Sequence, residues 1–229
     1  MTQRGIPQTM PRRALIERRP WLLTSILFAL AFAWLQDSQL PGVYLMVLKA
    51  APLLLLAVYA ALRHKGHDTQ LLAAMLAFQG LGAAISDLAE DLAGIVMVVG
   101  FAFGIGLFLM HRRRHLTPSQ KGLAVCLLLL IPAICQLAIN PHVEAGLAPL
   151  YFGAALGGFA ASAWTSSFPR YRTGLGALVV VAGSVGNLVS LHAINGPGVG
   201  EILGWPLFYL GNLVLATGVT GELRARAAV

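Results

Sequence analysis

Apolar residues fall into eight runs that are separated by short polar or charged stretches. The runs cover residues 21–35, 43–62, 71–85, 92–110, 122–139, 145–164, 174–191 and 202–219. A helix needs about 17–25 mostly apolar residues to cross a bilayer, so the first and third runs require flanking residues. The short alternating strands of a membrane β-barrel are not apparent in the pattern. It therefore predicts an all-α fold, a bundle of eight transmembrane helices.

The composition supports a membrane location. Of the 229 residues, 57% are hydrophobic and 11% are charged, whereas a soluble domain carries about 25% charged residues. Such a chain has too few polar side chains to cover a surface that faces water, which indicates an integral membrane protein. We expect a basic tail at 1–20, the helical bundle at 21–220 and a second tail at 221–229.

The basic residues mark one side of the predicted bundle, in a chain with a formal net charge of +7. With eight spans both termini lie on the same side, and every Lys and Arg except Lys49 falls there. This is the positive-inside bias, which places both termini of the multi-pass protein in the cytoplasm. The basic charge therefore predicts contact with anionic headgroups of the bilayer and not with nucleic acid. We expect an uncleaved first helix; signal cleavage near residues 29–33 is the alternative.

Lys49 and Asp87 are charged residues at similar predicted depth. Lys49 follows the start of the second run by six residues, or ~9 Å of helix. Asp87 follows the start of the third run by sixteen residues, which places it ~24 Å along a ~30 Å hydrocarbon core. Because the two runs are antiparallel, we expect these side chains at one level, where an intramembrane charge marks function or a partner. Glu90 and Asp91 are expected to be loop acids, since the chain must turn before residue 92.

Asn187 in the seventh run and Asn212 in the eighth run lie in the same predicted layer. With Lys49 and Asp87 they predict a polar pocket between helices; the alternative is that each amide only bonds a neighbouring helix. The stretches "GLGAAISDLAE" and "VAGSVGNLVSL" place small residues and then Asp or Asn before Leu, in the same direction. This faint repeat leaves open an arrangement of two parallel four-helix halves.

Metal and nucleotide chemistry is not indicated. His111 and His115 have the spacing of metal ligands on a helix, but the three arginines between them would repel a cation. The sequence shows no GxSxG elbow, HExxH pair or phosphate-binding loop. We expect no metal site and no cofactor.

Four short motifs resemble the lysoplasmalogenase (YhhN-like) family of membrane hydrolases. They are "LKAAPLLLL" with Lys49, "GLGAAISDL" with Asp87, "GSVGNLVSL" with Asn187, and "FYLGNLVLA" with Tyr209 and Asn212. The family is similar in having about eight helices in a chain of this length. Two positions differ from it: its seventh-helix acid is an asparagine here, and its usual fourth-helix histidine is a glycine, residue 106.

The resemblance implies hydrolysis of the vinyl ether bond of a lysoplasmalogen to a fatty aldehyde and a glycerophospho-alcohol. Asp87 and Asn187 would be catalytic: Asp87 gives a proton to the enol carbon, and Asn187 with Asn212 orients water or the ether oxygen. Lys49 would hold the phosphate of the lysophospholipid or other membrane lipid, and Tyr209 would support the site. If Lys49 lies within ~4–6 Å of Asp87, it favours the carboxylate, and Asp87 would instead act as a base on water.

Two readings from other classes remain open. The chain is alternatively a lipid-binding, transport or channel protein in which Lys49 and Asp87 form a gate or counter-ion pair. A polar path that continues past Gln79 would favour transport, and a cavity closed toward the cytoplasm would favour the enzyme. The third possibility is a structural membrane protein whose buried polar residues only hold the bundle together. The oligomeric state is not predicted.

Overall fold

The computed structural model describes residues 19–36, 38–63, 66–138, 146–191 and 199–227. Its helices are α1 (Arg19–Leu35), α2 (Gly42–Arg63), α3 (His67–Ile85), α4 (Glu90–Met110), α5 (Pro118–Leu137), α6 (Ala148–Thr165), α7 (Leu175–Leu191) and α8 (Val199–Ala227). A π-helical turn, Arg170–Gly174, leads directly into α7. Across the described ranges the only extended pairing is an isolated bridge between Arg112 and Ser166. The prediction of an all-α fold is confirmed.

Five stretches of the described chain are long and apolar enough to cross a membrane. They are Gly42–Arg63, Glu90–Met110, Pro118–Leu137, Arg170–Ser190 and Leu203–Ala227. The protein is therefore a multi-pass membrane protein in contact with the bilayer. The apolar helix α1 has 17 residues. Helices α3 and α6 have 19 and 18 residues, but they are less hydrophobic than a membrane span of this kind requires. A total of eight spans stays a prediction.

The lower hydropathy of α6 follows from its position inside the bundle. Its glycines face α5 so closely that a side chain would clash with backbone. A Cβ on Gly153 would lie 2.6 Å from the Cα of Pro132, and a Cβ on Gly157 would lie 2.6 Å from the carbonyl oxygen of Leu127. A helix that packs mainly against protein can carry small and polar residues, because its surroundings and not lipid decide its composition.

Helices α7 and α8 form the most extensive helix–helix contact of the described bundle. Glycines on both sides allow it. A Cβ on Gly176 would lie 2.9 Å from the carbonyl oxygen of Gly211, and a Cβ on Gly183 would lie 2.7 Å from that of Gly204. The main chains therefore touch along much of the hairpin, as in other small-residue interfaces between membrane helices.

Successive helices alternate in direction, which gives the bundle two ends of different character. At the basic end, the segments at and just after the ends of α4 and α6 are joined by main-chain hydrogen bonds, from Ser167 N to His111 O (2.7 Å) and from Arg113 N to Thr165 O (3.2 Å). The C-terminal part of α8 reaches the same end, where Arg226 Nη2 donates to Ser167 O at 3.3 Å. The opposite end holds the start of α2 and the end of α3; we call it the Lys49 end.

Candidate functional site

The strongest polar contact at the Lys49 end joins α2 to the residues that follow α3. Lys49 Nζ lies 2.8 Å from Asp87 Oδ1 and donates to Ser86 Oγ at 2.9 Å. The Ser86 hydroxyl also lies 3.2 Å from Asp87 Oδ1. The expectation that Lys49 and Asp87 lie at one level is confirmed, and the two are in direct contact. Lys49, Ser86 and Asp87 together are called the Lys49 cluster below.

The end of α3 places Asp87 in this cluster. The helix stops at Ile85, and the carbonyl oxygen of Ile85 accepts hydrogen bonds from Leu88 N (3.0 Å) and Ala89 N (2.9 Å). Ser86 Oγ folds back onto the Ala83 carbonyl at 2.9 Å. A side-chain hydroxyl that bonds a carbonyl of the preceding turn satisfies one of the acceptors left open at a helix C-terminus. Asp87 therefore projects from a hydrogen-bonded turn.

Glu90 and Asp91 are not loop acids, so that expectation is wrong. The turn takes only residues 86–89, and both acids lie in the first turn of α4. Negative side chains are stabilised there by the positive end of the helix dipole and by the open N–H groups of the first turn. The three acids thus lie in two different elements: Asp87 lies in the turn that follows α3, and Glu90 and Asp91 begin α4.

Burial differs between the two charges of the ion pair. The Lys49 side chain is 16% exposed, whereas that of Asp87 is 53% exposed. The aliphatic stem of Lys49 leaves α2 beside buried Ala50 and carries its ammonium group toward the surface, as long cationic side chains do near membrane boundaries. Water or a lipid headgroup has access to the carboxylate, while the ammonium is held mostly by protein.

A second polar layer lies one helical turn deeper and connects α1, α2 and α8. The Tyr209 hydroxyl is 2.8 Å from Ser25 Oγ, which donates to the carbonyl oxygen of Pro52 at 2.7 Å. Pro52 has no N–H, so the helical bond to the carbonyl of Leu48 is missing in the turn that carries Lys49. The hydroxyl pair holds this weakened part of α2. Ser25 was not identified from the sequence, although a serine within an apolar run was an available signal.

The two asparagines lie elsewhere in the bundle. Asn187 of α7 packs its side-chain oxygen and main-chain nitrogen against Gly204 of α8. Asn212 is fully buried and donates from Nδ2 to the Phe208 carbonyl at 3.0 Å. Within the described ranges, hydrogen bonds join Asp87 to Lys49 and Ser86 and do not join it to either amide. A pocket shared by all four predicted residues stays a prediction.

Several buried polar atoms have no protein partner among the described residues. Both amide atoms of Gln79, the Trp205 indole nitrogen and Asn212 Oδ1 belong to this group. Trp205 stacks on Tyr209 with ring centroids 5.7 Å apart. Spacings of four and three residues place Trp205, Tyr209 and Asn212 on one face of α8. Polar atoms buried without a protein partner point to an ordered water or to a polar ligand.

The Lys49 cluster combines a cation, a hydroxyl and a water-accessible carboxylate in one place. An ammonium group binds a phosphate as a point charge, and a carboxylate within reach of water can move protons. No protein-family model, curated protein or solved structure matches the chain. The geometry of the Lys49 cluster and the motifs that contain its residues are therefore the basis for a function.

Proposed function

We propose that the chain is a membrane hydrolase of the lysoplasmalogenase type, with eight transmembrane helices and both termini in the cytoplasm. Its substrate would be a lysoplasmalogen-type lysophospholipid, cleaved at the vinyl ether bond. The observation that carries the proposal is the contact of Lys49 with Asp87 at 2.8 Å, with Asp87 half exposed. A pair of this kind near a membrane boundary is positioned for a molecule with a phosphate outside the bilayer and an apolar chain inside it.

The first step in this scheme is binding of the substrate phosphate to Lys49. The ammonium group has three N–H donors, of which Ser86 and Asp87 accept two. A phosphate that takes the third donor competes with Asp87 for the cation and weakens the ion pair. The general-acid role of Asp87 therefore depends on the bound phosphate, which draws the cation away from the carboxyl group.

Asp87 alone can serve both proton transfers of the reaction, as the donor in the first and the acceptor in the second. Asp87 gives its proton to the enol carbon, which leaves an oxocarbenium ion at the carbon bonded to the ether oxygen. Water adds to that carbon, and the Asp87 carboxylate takes the proton that the water loses. The resulting hemiacetal breaks down to a fatty aldehyde and the glycerophospho-alcohol. The half-exposed position of Asp87 provides water for this addition.

The remaining predicted residues have supporting roles in the proposal. Tyr209 acts through Ser25 on the Pro52 turn of α2, which makes it a positioning residue for Lys49. Asn212 offers a buried carbonyl oxygen without a protein partner among the described residues, and Asn187 would orient water or the ether oxygen. These two assignments come from the resemblance and await the variants Asn187→Ala and Asn212→Ala.

Aldehyde release from a lysoplasmalogen by the purified protein in detergent tests the proposal. We expect release by the wild type, none by Asp87→Asn and unchanged release by Asp91→Asn, which removes an exposed acid at the same end. Equal activity of both variants, or no release from a folded wild type, would reject the hydrolase.

A second function, transport of a polar solute, is favoured by one observation. Gln79 of α3 is fully buried, and neither atom of its amide has a hydrogen-bond partner among the described residues. Such an amide inside a helical bundle is suited to a polar path. Flux of a dye or ion across vesicles that contain the protein, abolished by Gln79→Leu and retained by Asp87→Asn, would favour transport over hydrolysis.

A further inference from the structure

A basic cleft lies at the basic end, on the far side of the bundle from the Lys49 cluster. Its volume is about 310 Å³, and its lining consists of Arg112, Arg113, Arg114, His115, Leu116 and Lys121. The cleft is formed by the connection between α4 and the first turn of α5. Four of its six lining residues carry permanent positive charge, and none is acidic.

The main chain around the cleft is tied down by the neighbouring loop. Arg112 forms the isolated bridge with Ser166, and extended residues point alternately to opposite sides. The Arg113 side chain turns inward, where Nε donates to Ser166 O at 2.7 Å and Nη2 donates to Phe168 O at 3.1 Å. Arg112 and Arg114 are exposed. The inner arginine fixes the loop, and the outer two are presented for binding.

The charges in the cleft have no carboxylate to balance them among the described residues. At this end Asp68 lies 3.6 Å from His111, and Glu222 pairs with Arg226 at 3.0 Å. Burial and, to a smaller extent, the positive charge of Arg170 lower the pKa of Arg113 from its ordinary value. The local field is therefore positive, and an anion entering the cleft would relieve like-charge repulsion.

The position of the cleft distinguishes a lipid from a soluble anion. Leu109 and Met110, the last residues of α4, are 52% and 64% exposed, and Val125 on α5 is 53% exposed. These apolar side chains begin directly beside the basic residues, so charge gives way to a lipid-facing surface within about one helical turn. A ligand that satisfies both surfaces has a phosphate headgroup and acyl chains.

We propose that this cleft is a binding site for an anionic phospholipid whose headgroup carries two phosphates. Arg112, Arg114 and Lys121 contact the phosphates, and the acyl chains lie along Leu109, Met110 and α5. Basic pockets between helices at a membrane surface recognise headgroups of this class. The N-terminal end of α5, with Lys121 in its first turn, adds the positive end of a helix dipole.

Binding of cardiolipin to the purified full-length protein in detergent tests the proposal. The cleft variant is Arg112→Gln/Arg114→Gln, and the matched control is Arg172→Gln/Arg224→Gln, which removes two exposed arginines at the same end outside the cleft. We expect the cleft variant to weaken binding about thirtyfold, or about 2 kcal/mol for two arginines. The control should change it less than about threefold by the same conversion.

Four further results test whether the cleft binds this lipid. Singly charged phosphatidylglycerol should bind more weakly than cardiolipin, and Lys121→Gln alone should weaken cardiolipin binding if the cleft folds as described. Equal loss of binding in the cleft variant and its control would overturn the proposal, because bulk charge alone would then explain attraction. Inorganic pyrophosphate competing as strongly as cardiolipin would also overturn it, in favour of a soluble ligand.

Discussion

The unequal burial of Lys49 and Asp87 predicts that the two halves of the ion pair differ in their effect on stability. Asp87→Asn removes the charge of the half-exposed partner and leaves an ammonium group that is only 16% exposed. Breaking a fully buried pair costs about 3–5 kcal/mol. Ser86 remains an acceptor at 2.9 Å, and water reaches the vacated position, so we expect a smaller loss of about 1–2 kcal/mol.

Lys49→Met should have a different outcome. Methionine keeps the apolar stem of the lysine and removes an intramembrane charge, whose insertion costs about 2.5–3.5 kcal/mol at the centre of a helix and less near its end. The remaining carboxylate of Asp87 is 53% exposed and stays hydrated. We therefore expect stability within about 0.5 kcal/mol of the wild type or slightly above it.

Reversible unfolding in detergent by increasing sodium dodecyl sulfate measures both variants and the double variant. The coupling energy of the pair should be about 1 kcal/mol, since exposure of one partner screens the interaction. The reasoning is refuted if Lys49→Met is as destabilising as Asp87→Asn or more so. A stable Lys49→Met protein without aldehyde release would show that the lysine is kept for function and not for the fold.

Three other substitutions, one of them with a matched control, test features of the bundle. Gly183→Ala should destabilise by about 1–3 kcal/mol in the same unfolding assay, because its Cβ would separate α7 from α8, while Gly94→Ala, with nothing within 4 Å, should not destabilise. Tyr209→Phe should cost about 1 kcal/mol and lower kcat, and a Tyr209→Phe enzyme with wild-type kinetics would remove its positioning role. Arg113→Gln should cost about 1–2 kcal/mol through its two lost bonds to carbonyl groups, and unchanged resistance to proteolysis between α4 and α5 would contradict that clamp.

Much of the fold was predictable because each membrane helix corresponds to a long run of apolar residues in the sequence. The apolar runs match the eight helices of the described chain in order, and their ends differ by four residues or fewer, except that α8 continues eight residues beyond the last run, to Ala227. The common level of Lys49 and Asp87 was predictable, since rise per residue converts sequence position into distance along a helix. Their direct contact was not predictable from level alone. Depth gives no rotation about the helix axis, so it could not show whether Asn187 faces Asp87 or Gly204.

The parts that sequence could not supply depend on contacts between distant residues. In the sequence Ser86 is only the residue before Asp87. Its hydrogen bond with Lys49 depends on how α2 packs beside the end of α3. The cleft arises because a carbonyl pair after α6 holds Arg113 inward, whereas the run of arginines alone indicates membrane topology. Glu90 and Asp91 were misplaced because a short turn and a helix start have similar composition, and the capping position decides between them.

The π-helical turn Arg170–Gly174 has a consequence for the phase of the helix that follows it. A π turn accommodates one residue more than an α turn, so a helical wheel drawn continuously from Arg170 puts the wrong side of α7 against α8. Deleting one residue within the turn should convert it to α geometry and leave Gly176 and Gly183 in place. The same deletion a turn later would rotate that glycine face by about 100°. A change of one residue in length within this turn therefore leaves the glycine interface between α7 and α8 unchanged.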